Sequence, residues 1–542
     1  MIGQSLKLNV LGETEQATKL IDSIGYTTTF LDYLSIETEV YSLKNKLINQ
    51  GFIDTKIESI EKENDSLFLA KLYLGKRLNI VRVFFNSTFD KSLLDFFDIK
   101  LGENYFELDI SQLENLLENL NRRIAEQGDP FSSLRLNNIK KKDETIIADL
   151  VIDANQKRYI DKIVVKGYEK FPKSYLRHFL KLKTAQQFNL EDIKEKTEEL
   201  QNLRFAKEIK APEVLFTNDS TVLYLYTEKT KSNNFDGFLG FGTNENTNRL
   251  DFDGYVDLRL VNNLNFGESL RLFYKSDEID QQTFDVNINA PFLFGSPIGL
   301  NVGLKIFRKD STFSTTSQQA KLNYQINPNH RISAGLKNII SSDLLDLNST
   351  LINDYDSNFY QIAYNYTKPQ FYDLLFPINF YFDLNANFGN RTQNSRKQQQ
   401  SSFSLEAYKI FNLNAKNSVF LRLTGASLTS DDYLDNELFR FGGINSVRGF
   451  EENSLVANLF GVINTEYRYR LSNTIFVHSV IDAAYFENEL TDTKTKLFGF
   501  GFGLGLLSKA GLFRLNYSSG KAENVPFRLS DSKIHVSLTA TF

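Results

Sequence analysis

The sequence predicts three small α+β repeats followed by a sixteen-stranded antiparallel β-barrel that spans a membrane. Three observations point there. Helical and strand patterns alternate in short pieces up to about residue 230, and beyond it nearly every segment has period two. In that second part, short turns alternate with long polar tracts.

Composition sets the bounds. The 542 residues suffice for two to four domains. There is no Cys, hence no disulfide, zinc-thiolate site or thiol nucleophile. The four His residues (His178, His330, His478 and His535) lie far apart and show no metal-ligand spacing. A net charge of −5 and a pI near 5.7 argue against nucleic acid as partner. Mean hydropathy is −0.32 and no run of eighteen apolar residues occurs, which excludes membrane-spanning helices. Membrane strands remain allowed, because lumen-facing residues dilute hydropathy to that of a soluble chain. The 47 Phe and 25 Tyr suit a lipid-facing surface, though a large soluble β protein would also carry them. No signal peptide is readable at Met1, so an exported protein would stand here in mature or trimmed form.

The repeats recur at a period of about 77 residues. Each contains an amphipathic helix with apolar residues at three and four spacing. These are Val40, Leu43 and Leu47; then Ile110, Leu113, Leu117, Leu120 and Ile124; then Leu190, Ile193, Thr197 and Leu200. The helices end at Gly51, Gly128 and near Arg204; the two glycines stand where a helix needs a left-handed terminal residue. A strand precedes and two strands follow each helix, giving strand, short helix, long helix, strand, strand. One helical layer on one small sheet is a sufficient core for such a unit. The expected boundaries are 1–76, 77–156 and 157–229, with the barrel at 230–542.

In the barrel, Asp251–Leu260 shows the alternation. Phe252, Gly254, Val256, Leu258 and Leu260 share one face; Asp251, Asp253, Asp257 and Arg259 share the other. Short connections follow even-numbered strands, at Asn262–Phe266, Gly295–Pro297, Asn327–His330, Asn412–Asn417, Ser472–Asn473 and Lys509–Gly511, with a longer one at Lys368–Pro377. Long polar tracts follow odd-numbered strands, at Ser341–Ser357, Gly389–Ser402, Thr429–Leu455 and Gly520–Lys533. The short rim then lies on the side of the repeats. An even strand count brings first and last strands together and removes both sheet edges. On the fourteenth strand, Gly499, Gly501, Gly503 and Gly505 alternate with Phe498, Phe500, Phe502 and Leu504. Strict period two reads as a strand with a bare inner face rather than a phosphate-binding loop.

The most specific segment is Phe439–Phe450, in the connection between the eleventh and twelfth strands. Here the chain resembles the superfamily of outer-membrane assembly and secretion barrels that includes BamA, TamA and the two-partner secretion transporters. Val447, Arg448, Gly449 and Phe450 match its [VI]-R-G-[FY] motif in the sixth outer loop. Gly461, Asn464 and Glu466 match its G-x-x-N-x-E pattern; Asp482 to Ala484 resembles its D-x-G, with Ala484 in place of glycine. A terminal aromatic such as Phe542 resembles the signal by which such barrels are assembled. The repeats resemble POTRA (polypeptide-transport-associated) domains, and three of them before such a barrel resembles the TamA-type architecture.

The resemblance implies a bacterial outer-membrane protein with its repeats in the periplasm, which inserts or exports client proteins. It implies no enzyme activity and no metal or cofactor. It further implies Arg448 tucked into the lumen and paired with the barrel-wall carboxylate Asp482, with the second wall carboxylate Glu466 nearby and Gly449 permitting close backbone approach. Gly237, Gly240 and Gly242 on the first strand, which closes against the last one ending at Phe542, suggest a weak lateral seam. Glycine weakens a strand by roughly 0.5–1 kcal/mol per residue. The expected partners are unfolded client proteins, outer-membrane lipid and a periplasmic or inner-membrane protein at the repeats, with no nucleic acid. Envelope lipid transport and two-partner-type export stand as alternatives; the lack of an obvious N-terminal plug helix leans away from the latter.

Overall fold

The computed structural model describes residues 5–244, 249–276, 281–345, 351–370, 373–523, 525 and 532–541. Phe542 lies outside them. Three small mixed sheets precede a closed sixteen-stranded barrel.

In the first sheet Leu6–Gly12 pairs in parallel with Leu67–Tyr73, and helices Glu15–Ile24 and Tyr33–Asn49 cover one face. The Thr14 hydroxyl accepts from the Ala17 amide and the Asp32 carboxylate from the Ser35 amide, satisfying donors that each helix start leaves free. The three-four spacing puts Ile36, Val40, Leu43 and Leu47 fully inside, against Leu8, Val10, Ala70 and Leu72. Gly51 ends the long helix at φ +100°, where a Cβ would lie 2.1 Å from the Leu78 carbonyl oxygen. No other residue fits that close approach.

The second sheet repeats the plan with one departure. The expected short helix is a single 3₁₀ turn, Lys91–Leu94, followed by the strand Lys100–Leu101 on Tyr105–Asp109. Only four residues separate the Asp90 cap from Asp95, too few to nucleate an α-helix. The long helix is Leu113–Glu126, and Leu116 and Leu120 are its deepest residues; Leu113, Leu117 and Ile124 pack at the margin. The third sheet pairs Lys162–Gly167 in parallel with Thr221–Lys229, which also borders Ala206–Phe216. Its short helix is a π-helical turn, Tyr175–Phe179.

Strands 1 to 8 of the barrel are Asn234–Asn244, Arg249–Val261, Ser269–Ser276, Gln281–Ala290, Ile298–Lys309, Phe313–Asn327, His330–Asp343 and Tyr355–Pro369. Strands 9 to 16 are Ile378–Gln393, Arg396–Asn412, Asn417–Thr429, Leu459–Arg470, Ile475–Asn488, Thr493–Ser508, Gly511–Ala522 and Lys533–Thr541. Period two sorts each strand between lumen and lipid. On strand 12, Ile463, Tyr467 and Tyr469 are exposed outside, while Asn464, Glu466 and Arg468 are buried inside.

One expected outer loop is absent. The polar tract Gly389–Ser402 continues strands 9 and 10 in register and turns at Asn394 and Ser395, both at positive φ. Two left-handed residues make the tight turn that suits strand twist. Beyond the hydrocarbon layer a strand needs no apolar face, so polarity alone misreads it as a loop.

The third sheet is bolted to the short-turn rim. The Asn262 amide donates to the Tyr168 hydroxyl at 2.8 Å, and that hydroxyl donates to Asn265 Oδ1 at 2.6 Å. The Tyr175 hydroxyl donates to the Gly267 carbonyl at 3.1 Å, and its ring meets Phe292 edge-on at 4.9 Å. His178 Nε2 lies 2.7 Å from the Gly295 carbonyl oxygen. Burial pushes the Tyr175 phenol above its ordinary range, so it stays a donor.

Candidate functional site

The connection between strands 11 and 12 enters the lumen and is held at two places. Its first part docks on the far wall. Arg391 of strand 9, with no solvent exposure, hydrogen-bonds to Asp432 and Glu437 of the loop and to Gln398. Asn436 donates to Ser341 Oγ at 2.9 Å, and its carbonyl accepts from the Tyr355 hydroxyl at 3.2 Å. A short ladder, Phe439–Phe441 on Leu455–Ala457, then carries the chain to its tip.

At the tip Val447 is fully buried against Phe441, Ala457, Val462, Ala484, Phe486 and Leu497. Ala484, where the family pattern has glycine, thus fills part of the pocket that seats Val447. Arg448 turns towards strands 12 and 13. Its amide and Nε both donate to Asp482 Oδ2 at 2.9 Å, and Nη2 donates to Oδ1 at 2.6 Å. Its remaining arm, Nη1, donates to Glu466 Oε1.

The other Glu466 oxygen accepts from Arg468 Nε at 2.7 Å. The Arg468 guanidinium lies 4.1 Å from the Phe420 ring centre and 4.3 Å from that of Phe376. Two carboxylates and two guanidiniums therefore share a site in which no member is more than 8% exposed. Such a set is tolerated because its charges sum to zero and bidentate geometry uses the donors.

Glycines make room for the tip. Gly449 has φ +94°, and a Cβ there would meet the Gly520 amide nitrogen at 2.3 Å. A Cβ on Gly499 would lie 2.4 Å from the Arg448 carbonyl oxygen, so the bare face of strand 14 is the floor under the loop. Beneath the tip the wall encloses a cavity of about 970 Å³, lined among others by Asp236, Arg259, Arg271, Arg514 and Phe376.

At the closure, strand 1 pairs with strand 2 over eleven positions, Asn234↔Arg259 to Asn244↔Arg249, which include Gly240 and Gly242. With strand 16 it pairs over two, Asn234↔Thr541 and Phe235↔Ala540, among the described residues. The Thr539 hydroxyl adds a 3.0 Å hydrogen bond to Asp236. Gly237 has a cause of its own: at φ +154° its Cβ would strike the Tyr255 carbonyl oxygen at 2.3 Å.

Period two in the sequence puts Arg468 on one face of strand 12 with Asn464, Glu466 and Arg470 but gives it no role, and the sequence assigns no part to Arg391 or Glu437. Arg391 was hidden inside the tract that reads as a loop.

A membrane barrel with a folded-in, arginine-anchored outer loop and small α+β domains ahead of it defines a class of outer-membrane protein. The family model for POTRA, described as surface antigen variable number repeat, matches residues 158–229, and that for the Omp85 superfamily domain matches residues 262–542. The chain belongs to the Omp85 superfamily, as an outer-membrane assembly or secretion protein that handles client proteins and is not an enzyme. No curated protein matches it. Among solved structures it is similar to CdiB from Escherichia coli, with 13% identity, a TM-score of 0.55, and 94% of this chain and 97% of that one covered. CdiB from Acinetobacter baumannii gives 16%, 0.54, 95% and 100%. BamA from Haemophilus ducreyi lacking POTRA domains 1-3 gives 13%, 0.51, 85% and 99%. At these identities the likeness is one of fold, and it does not favour BamA over CdiB.

Proposed function

We propose that this protein inserts client proteins into the outer membrane through a lateral seam between strands 1 and 16. The observation that carries the reading is the inequality of strand 1's two flanks. Among the described residues, eleven registered pairs hold it to strand 2, and two hold it to strand 16. A client strand can add to the free edge by backbone pairing, which asks for no particular side chains. Gly237, Gly240, Gly242 and Phe542 belong to the seam in this reading. Arg448, Asp482 and Glu466 lock the loop, with Val447, Gly449 and Phe450 seating its tip. The boundaries 1–76, 77–156, 157–229 and 230–542 are the working limits of three periplasmic domains and the barrel.

The test uses the absence of native Cys. Asp236→Cys with Thr539→Cys, oxidised, closes the seam. Insertion of protease-protected barrel clients into liposomes is then lost and returns on reduction. Full insertion with the seam closed overturns the proposal.

Export through the lumen is the second reading, favoured by the cavity of about 970 Å³ under the loop. A client that still crosses a closed-seam barrel supports it.

A further inference from the structure

The residues that follow the loop tip occupy an unusual place. Glu451 and Glu452 are adjacent in the chain, yet they reach opposite banks of the seam. Glu451 Oε1 accepts from Lys533 Nζ at 2.9 Å, and Lys533 opens strand 16. Glu452 Oε2 lies 3.6 Å from Lys275 Nζ, near the end of strand 3. Strand 3 is tied to strand 1 through strand 2, in eight pairs on one side and eleven on the other. The dipeptide therefore joins the two leaves of the barrel that meet at the closure.

Its height along the strands matters as much. Strand 1 begins where the third sheet ends, so its two pairs with strand 16 lie on the rim nearest that sheet. Lys533 and Lys275 stand at the opposite, outer ends of their strands. Among the described residues no backbone pair joins strand 1 to strand 16 above Phe235↔Ala540. The outer part of the closure is spanned by side chains of the loop.

We infer that Glu451 and Glu452 form an acidic clasp, positioning residues that hold the outer end of the seam closed while Arg448 fixes the loop in the lumen. Both pairs are partly exposed, with side-chain exposures of 54% and 38% for Glu451 and Lys533, and 28% and 29% for Glu452 and Lys275. Exposed ion pairs are weak and screened by salt, which makes such a clasp releasable. Arg448, by contrast, is buried, 5% exposed. The loop then has two buried attachments, at Arg391 and at Arg448, and one that yields.

The inference rests on the seam reading, but its test measures seam width and not client insertion, so the two can fail separately. Val256→Cys on strand 2 and Val536→Cys on strand 16, spin-labelled in full-length protein in liposomes, report the distance across the seam. Heat-modifiable migration verifies that each variant is a folded barrel. Glu451→Gln with Glu452→Gln is expected to add a population at longer distance. High salt should do the same to the parent protein and add nothing to the double variant. Exchanging the charges, Glu451→Lys with Lys533→Glu, should return the Glu451 side to the short distance. Unchanged distances in the Gln variant overturn the clasp. So does widening that the exchange fails to reverse, which would mark a structural role without charge recognition.

Discussion

Replacing Arg448 by Ala removes three side-chain hydrogen bonds and leaves that of the backbone amide, which still reaches Asp482. Asp482, 1% exposed, then loses the one side-chain cation paired with it among the described residues, while Glu466 keeps Arg468 and has His478 Nδ1 3.8 Å away. Removing one partner of a buried pair costs about 3–5 kcal/mol, because the remaining charge stays desolvated. The balance between seated and released loop shifts by that amount, so the released fraction should rise roughly 10²- to 4 × 10³-fold, at about 1.4 kcal/mol per tenfold. Hydrogen exchange at the amides of residues 446–450 reads this directly in full-length protein in liposomes. The barrel ladder, which closes without Arg448, should keep its protection. Arg448→Lys should fall between, since an ammonium cannot serve both carboxylates with a planar fork. Exchange in Arg448→Ala within threefold of the parent would refute the argument that these charges seat the loop.

Other outcomes follow from the same geometry. Gly449→Ala should release the tip as Arg448→Ala does, because its Cβ meets the Gly520 amide at 2.3 Å; exchange at the same amides checks it. Arg391→Ala should raise exchange at residues 432–437 and leave 446–450 protected, since the two anchorages share no side chain. Gly267→Ala should loosen the third sheet from the rim, because its Cβ would enter the Tyr175 ring at 2.0 Å; faster proteolytic release of the N-terminal domains would report it. Tyr175→Phe removes one hydrogen bond to that rim, about 1 kcal/mol, and should give a smaller acceleration in the same assay.

Much of this was legible because period two is unforgiving. Once Glu466 is assigned to the lumen, Asn464, Arg468 and Arg470 must follow, and one outer loop long enough to reach them carries an Arg-Gly tip. The helices of the repeats were legible for the same kind of reason, an unbroken three-four spacing such as Val40, Leu43 and Leu47. What escaped was set by tertiary context. The tract 389–402 has the composition of a loop and the hydrogen bonds of a hairpin, and Arg391 could be valued only after that hairpin was in place. The segment after Asp90 looks like a helix start and is cut short by the strand that follows. Gly237 reads as a weak link in a strand, whereas the Tyr255 carbonyl leaves no room for any other residue.

The attachment of the third sheet is one-sided. Tyr168, Tyr175 and His178 grip the turns after strands 2 and 4, and the chain from that sheet runs straight into strand 1. None of these contacts touches strands 13 to 16. If the closure is a door, the third domain is a handle fixed to one panel. Any parting of the panels must swing that domain as well, and a protein that grasps it in the periplasm pulls on the door without entering the membrane.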